Sequence, residues 1–222
     1  MEKEMKNLDL VLGFDGKFMT GFFDMERTEN IYFTGCSRDI NYFKYITTHA
    51  YFMDRTFAEK ELEFKQFVPY LVLNYGDLYA IHSVEKSTSR NYGKISIGIS
   101  CHVTDLDKMP GNRDMYSYIT NAVYRRFSNE FSIKDSVPFD DLMMKANFRH
   151  PTCFIYSDFA ADGSFDASNH LGIVYLIKVS EDIKRRIDFS SDSKTLEWFC
   201  REDLLKSPDS LTDWSKLYLE SL

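Results

Sequence analysis

The residues best placed to do chemistry lie in one run, GNRDMYSYITNAVYRRFSNEFSI, from Gly111 to Ile133. On a helix, positions 126, 129 and 130 stand at i, i+3 and i+4 and so project from one face. Carboxylates at all three would offer several oxygen ligands to one hard divalent cation. This chain has Arg126, Asn129 and Glu130 there, so one acid remains and a neighbouring cation cancels it. Arg126 and Glu130 are also spaced to pair across one helical turn, worth a few tenths of a kcal/mol on a surface. The spacing predicts no high-affinity divalent site on this helix.

The elements that would position these residues can be read from periodicity and turn chemistry. Tyr116, Ile119, Val123 and Phe127 recur at spacings of three and four, which predicts a helix over 113–131. Before it, GKISIGISCHV at 93–103 alternates Ile95, Ile97, Ile99 and Cys101 with small or polar residues, which predicts a strand with one buried face. QFVPYLVLNYGDLYAIHSV at 66–84 places two apolar runs around N-Y-G-D, a hairpin signal. Further upstream, residues 8–34 alternate short apolar runs (LDLVLGF, FMTGFF, NIYF) with turns and read as strand-rich. SRDINYFKYITTHAYFMDR, from Ser37, puts Ile40, Phe43, Tyr45 and Ile46 near helical spacing, with Ser37 as a cap and Asp39 in the first turn.

Downstream, TCFIYSDFA at 152–160 and HLGIVYLIKV at 170–179 read as strands across an Asp/Gly/Ser-rich loop. The C-terminal TLEWFCREDLLKSPDSLTDWSKLYLESL gives two helical patterns broken at Ser207-Pro208, with Asp209 or Ser210 as a cap. Trp198 and Trp214 read as core anchors. In order, this is a mixed α+β chain.

Composition narrows the function classes. The net charge of -7 argues against a broad basic surface for extended nucleic acid or anionic membrane. No stretch approaches the length of an apolar membrane span, and the N-terminal MEKEMKNLDL has no apolar leader core, so a cytoplasmic location is expected. Cys36, Cys101, Cys153 and Cys200 are widely spaced, with no C-x-x-C pair of a zinc or redox site, and read as reduced structural thiols.

The run first quoted is similar to the Nudix box, G-x5-E-x7-R-E-U-x-E-E-x-G-U, where U is a bulky aliphatic. Gly111, Arg125, Phe127, Glu130 and Ile133 match it, whereas Ser117, Arg126, Asn129 and Ser132 replace its remaining positions. The flanks carry a more specific resemblance, to the predicted MutT-family phosphoesterases of the Nudix superfamily. Arg55 and Glu59 match an R-x3-E segment, and Phe64, Lys65, Gln66, Pro69 and Tyr70 match F-K-Q-x-x-P-Y. Ser96, Ile97, Gly98, Ile99 and His102 match S-I-G-I-G-G-H, while Ser100 and Cys101 replace its two glycines. The HLG at 170–172 and the Trp198 and Trp214 segments match the family's later strand and ending.

The resemblance covers about residues 50–222 and implies an α+β, Nudix-like α/β/α sandwich with a mixed sheet, an N-terminal strand-rich extension and C-terminal helices. It divides the chain into an extension over 1–54 and a Nudix-like domain over 55–222, packed as one unit. It also implies Glu130 and Arg125 as the catalytic candidates, Glu130 as the surviving metal ligand for Mg²⁺ or Mn²⁺, and Lys65, Gln66, His102 and Arg126 as contacts to a nucleotide-like ligand. His170, like His102, occupies a family-matching strand position and is a further candidate. Two functions compete. One is a Nudix-fold protein with an eroded metal site that binds a nucleotide-like diphosphate, or a protein partner, with little or no hydrolysis. The alternative is an active MutT-like hydrolase of a nucleoside diphosphate linked to another moiety, using acids relocated to Asp105, Asp107, Asp114, Asp158, Asp162 or Asp166.

Overall fold

The computed structural model describes residues 9–21, 23, 29–33, 37–84, 91–111, 114–134, 150–157, 169–191 and 196–222. Its backbone is organised by one strand, β4 (Phe64–Tyr75), which is buried at every position but the last. Sequence made this unavoidable: FKQFVPYLVLNY is apolar on both faces, and such a strand is stable only with a layer on each side. Odd positions Phe67, Leu71 and Leu73 enter one core cluster, and even positions Tyr70 and Val72 enter a second.

On one edge β4 runs parallel to β10 (His170–Lys178), from His170 opposite Gln66 to Lys178 opposite Asn74. On the other edge three antiparallel strands share its length. These are β1 (Leu10–Asp15) at its start, β7 (Gly98–Ser100) in the middle, and β5 (Leu78–Ser83) across the hairpin at its end. Pro69 falls where β1 has ended and β7 begins, and its carbonyl accepts from Cys101 N at 3.1 Å. A proline is tolerated at such a changeover because little ladder depends on its missing N–H. The sheet extends from β10 through β9 (Cys153–Ser157) to β2 (Glu29–Phe33), and from β5 to β12 (Glu197–Cys200). β3 (Tyr51–Asp54) pairs with β1, and β6 (Ile95–Ser96) with β5.

The odd face of β4 is covered by α1 (Ser37–Thr48) and α3 (Met115–Glu130), whose Phe43, Ile46, Ile119, Val123 and Phe127 are buried in the first cluster. The even face is covered by α2 (Arg55–Ala58), α5 (Arg201–Leu204) and α6 (Asp213–Glu220): Ala58 packs on Phe64, and Leu204, Tyr218 and Leu219 join the second cluster. A short α4 (Glu181–Arg186) leads into β11 (Ile187–Phe189), which pairs with β8 (Phe131–Ile133) just beyond α3. The result is the expected α+β sandwich with a mixed sheet. No helix among the described residues is long and apolar enough to cross a membrane.

The hairpin expected at N-Y-G-D forms, with Gly76 at φ 60, a left-handed conformation that suits glycine. Other expectations are corrected. The strand over 93–103 is broken at Ile97, so Ile97 joins the second cluster while Ile99 joins the first. A Cβ on Gly98 would lie 2.7 Å from the Tyr70 ring, so the break depends on that glycine. LEWFC is not helical: Glu197–Cys200 is an edge strand on β5, because pairing there satisfies backbone that a short isolated helix would leave open. FMTG lies in a 3₁₀ turn (Gly16–Gly21), and Tyr45 of α1 points to solvent. The last helix follows Thr212, not Asp209 or Ser210, which sit in a separate 3₁₀ turn. Trp198 packs against the first cluster and Trp214 against the second. Cys101, Cys153 and Cys200 are free thiols, and Cys36 lies outside the described residues.

Ser215 is the polar bolt of the even face. Its hydroxyl lies 2.8 Å from Tyr70 Oη and 2.6 Å from Thr212 Oγ1, and it accepts from Ile97 N at 3.1 Å. Leaving a buried donor without an acceptor costs about 1–3 kcal/mol. Ser215→Ala should therefore lower urea-denaturation stability by about 2 kcal/mol; a variant as stable as the wild type would remove this role.

Candidate functional site

α3 begins at Asp114, whose carboxylate accepts from Tyr116 N at 3.0 Å, and its apolar stripe fixes which residues face away from the core. Gly111, just before it, has φ 80, a conformation consistent with the glycine of the box. Ser117 lies in the first turn of α3, about 20 Å from Glu130 at 1.5 Å per residue. Ser132 lies in β8 opposite Asp188.

Arg126 Nη1 is 2.8 Å from Glu130 Oε1, the pair that the spacing predicts. It is sheltered, with side chains 33% and 16% exposed, and Arg126 Nε is buried without a hydrogen-bond partner. A hard divalent cation needs several oxygen ligands. This face supplies one carboxylate, already matched by a guanidinium, so its donor set does not suit such an ion. Among the described residues no group of three or more His, Cys, Asp or Glu side chains is close enough to hold a metal. Asp158, Asp162 and Asp166 lie outside the described residues.

Arg125 orients a carboxylate, but that of Asp107 rather than of Glu130. Its Nε and Nη2 donate to Asp107 Oδ1 and Oδ2 at 2.7 and 3.0 Å, and Nη2 also donates to the His102 carbonyl at 3.0 Å. Asp107 Oδ2 accepts from Thr104 N at 2.8 Å, and Asn121 Nδ2 donates to the Asp107 carbonyl at 2.9 Å. Residues 102–107 are thereby clamped to α3, and Asp107 is committed to structure. The sequence placed Asp107 among spare acids; a part-buried fork-to-fork pair across eighteen residues could not be read from spacing.

The expected contact residues are split between two faces. Lys65 sits on the odd face, its Nζ donating to Leu62 O at 2.8 Å and lying 5.4 Å from the Tyr156 ring centre. Gln66, next along the strand, points the other way. Cys101 turns towards α3 and its Sγ donates to Ala122 O at 3.5 Å, so His102 turns to the even face. There its ring lies 5.4 Å from that of His170, the residue in register with Gln66. Arg126 is on the Cys101 side. Gln66, His102 and His170 therefore come together, while Lys65 and Arg126 are elsewhere.

Burial, reinforced by the nearby His170 and Arg55, pulls the His102 imidazole down to about 3. Burial pushes the Cys101 thiol up to about 12, so it is a neutral group and not a nucleophile.

Removal of Arg125 should cost more than removal of Asp107, because the Asp107 side chain is 1% exposed whereas that of Arg125, at 32%, can turn to water. Urea denaturation should show about 3–5 kcal/mol lost in Arg125→Met and less in Asp107→Asn; the reverse order would refute the clamp. For His102, the unfolded chain takes up a proton near its ordinary pKa of 6.5 while the native protein stays neutral to about 3. Stability contributed by His102 is thus present above that ordinary value and is lost as pH falls through the window, by up to about 1.4 kcal/mol per unit. The gap between wild type and His102→Leu should change accordingly between pH 7 and pH 5.

No family model and no curated protein matches the chain. Among solved structures, that of Tm1382, provisionally assigned as a Nudix hydrolase, superposes with a TM-score of 0.63 at 18% identity, over 96% of this chain and 97% of that one. A NUDIX-family hydrolase from Clostridium perfringens aligns over 71% of this chain and 94% of its own, with 13% identity and a TM-score of 0.38, too low to carry an argument. At such identities a likeness concerns architecture and not chemistry. The chain has a Nudix-like fold.

Proposed function

We propose that this chain is a Nudix-fold protein with an eroded metal site that binds a nucleotide-like diphosphate with little or no hydrolysis. The observation that carries this reading is the Arg126–Glu130 pair. A guanidinium stands where the box has its first metal-binding acid, and the last acid is turned to it at 2.8 Å. Arg125 supports it from the next position, since its fork is committed to Asp107 and not to Glu130. A planar guanidinium can meet phosphate oxygens directly, and Arg126 keeps an unpartnered buried Nε–H for a further bond. A phosphate would share the Arg126 guanidinium with Glu130, and the pair supplies no activated water, so binding survives and turnover does not.

Calorimetric titration with Mg²⁺ or Mn²⁺ should show no micromolar site in the wild type, and the double variant Arg126→Glu/Asn129→Glu, which rebuilds the acidic face, should gain one. Nucleoside diphosphate sugars and dinucleotides should raise the melting temperature of the wild type without releasing a nucleoside monophosphate, and Arg126→Gln should lose that shift. A micromolar metal site abolished by Glu130→Gln, or turnover of any of these compounds, would restore the hydrolase reading.

A further inference from the structure

β3 ends the sheet on the side of β1: among the described residues it pairs with β1 and has no strand beyond it. The register shows which of its backbone groups face outward. Leu12, opposite Phe52, turns its N–H away from β3 to the Val103 carbonyl at 2.8 Å, whereas Arg55 N donates to the Asp9 carbonyl at 2.8 Å. Odd-numbered residues therefore bond to β1. Phe52 presents its N–H and C=O along the outer edge, and Asp54 its N–H. Such an edge is a template for pairing with another strand.

The surroundings of this edge are apolar where water meets them. Tyr51 and Met53 point to the even face; the Tyr51 ring lies 5.1 Å from that of Phe64 and is still exposed. Beside them Phe57, in α2, is 71% exposed. On the odd face Lys108 Nζ lies 4.0 Å from the Phe52 ring centre, which brings the turn Asp105–Asp107 alongside β3. Leu106 in that turn is 80% exposed, and Met109 after it is exposed too. Leu106 and Phe57 are the two most exposed large apolar side chains among the described residues, and they stand on opposite sides of one four-residue strand. Exposed apolar side chains grouped in this way mark an interaction surface.

The charges select the partner. Among the described residues Lys108 has the Phe52 ring beneath it but no carboxylate partner, and Asp54 accepts from Thr56 N and Oγ1 but from no cation. Phe52 and Asp54 share a face of the strand. When two copies of β3 pair antiparallel about Phe52, the two Phe52 residues exchange both hydrogen bonds and Tyr51 comes opposite the partner's Met53. Asp54 then lies diagonal to the partner's Phe52, within reach of the partner's Lys108. A two-fold axis makes each of these contacts twice from one patch. Four residues make too few backbone bonds to hold an arbitrary peptide; the fitting strand carries its own acid and cation in these places, as β3 does.

We propose that the outer edge of β3 is the interface of a symmetric dimer of this chain, with Phe57 and Leu106 closing over the two sides of the join and Lys108 of each copy meeting Asp54 of the other. The inference does not rest on the diphosphate reading of α3.

Sedimentation equilibrium of the full chain should show a monomer–dimer equilibrium in the micromolar range. Leu106→Asp should raise the dissociation constant about tenfold or more, with the melting temperature of the dilute protein unchanged. Lys108→Glu should raise it as well, and Lys108→Arg should not. Hydrogen exchange in the wild type needs no variant. The Phe52 and Asp54 amides should exchange rapidly in dilute protein and become protected as concentration rises, whereas those of Tyr51 and Met53, bonded to β1, stay protected throughout. A chain that stays monomeric to about 1 mM, a dimer that leaves the Phe52 and Asp54 amides unprotected, or a dimer unchanged by Leu106→Asp would overturn the proposal. So would Phe52 and Asp54 amides already protected in the dilute monomer, since the edge would then be covered from within the chain.

Discussion

Burial of β4 on both faces is the constraint from which the rest of the molecule follows. A twelve-residue strand with eleven buried positions must have a neighbour on each edge and a layer on each face. β10 fills one edge, and β1, β7 and β5 share the other. The odd face recruits α1 and α3, and the even face recruits α2, α5 and α6. Because side chains alternate along the strand, each neighbouring pair of β4 residues is divided between these layers. Lys65 and Gln66, adjacent in sequence, consequently serve different parts of the protein.

The same alternation acts at the end of β7. Cys101 is drawn to α3 and His102 to the opposite face, while the His102 carbonyl is held by Arg125. The segment from 102 to 107 is thus fixed from one side and presents its imidazole on the other. Arg125, which the Nudix-box resemblance would assign to a catalytic carboxylate, is spent on this clamp through Asp107. Arg126 is turned to Glu130. Two adjacent arginines on one helix have therefore been given separate anionic partners, and the helix face carries a neutral pair rather than an acid cluster.

Much of the fold was legible in the sequence because it rests on local periodicity. The stripe of Ile119, Val123 and Phe127, the N-Y-G-D turn and the apolar runs of β9 and β10 each specify their element without reference to distant residues. The misreadings fall where pairing overrode propensity. Glu197–Cys200 reads as helical by composition, but β5 offers an open edge. The Ile95–Ile97–Ile99 alternation reads as one strand, but Gly98 must pass the Tyr70 ring and the chain changes face there.

The sequence by itself determined the mixed α+β order of elements, the residue types along the 111–133 run and the pairing of Arg126 with Glu130, since each depends on residue type at short spacing; the Nudix-like architecture was only implied, by resemblance. Only the tertiary structure decided that Arg125 belongs to Asp107, that Lys65 and Arg126 stand apart from Gln66, and that Gln66, His102 and His170 converge. These are contacts between segments far apart in the chain, set by strand register and by which face each residue takes. A shift of one residue in register reverses every such assignment, and nothing in the local sequence records it.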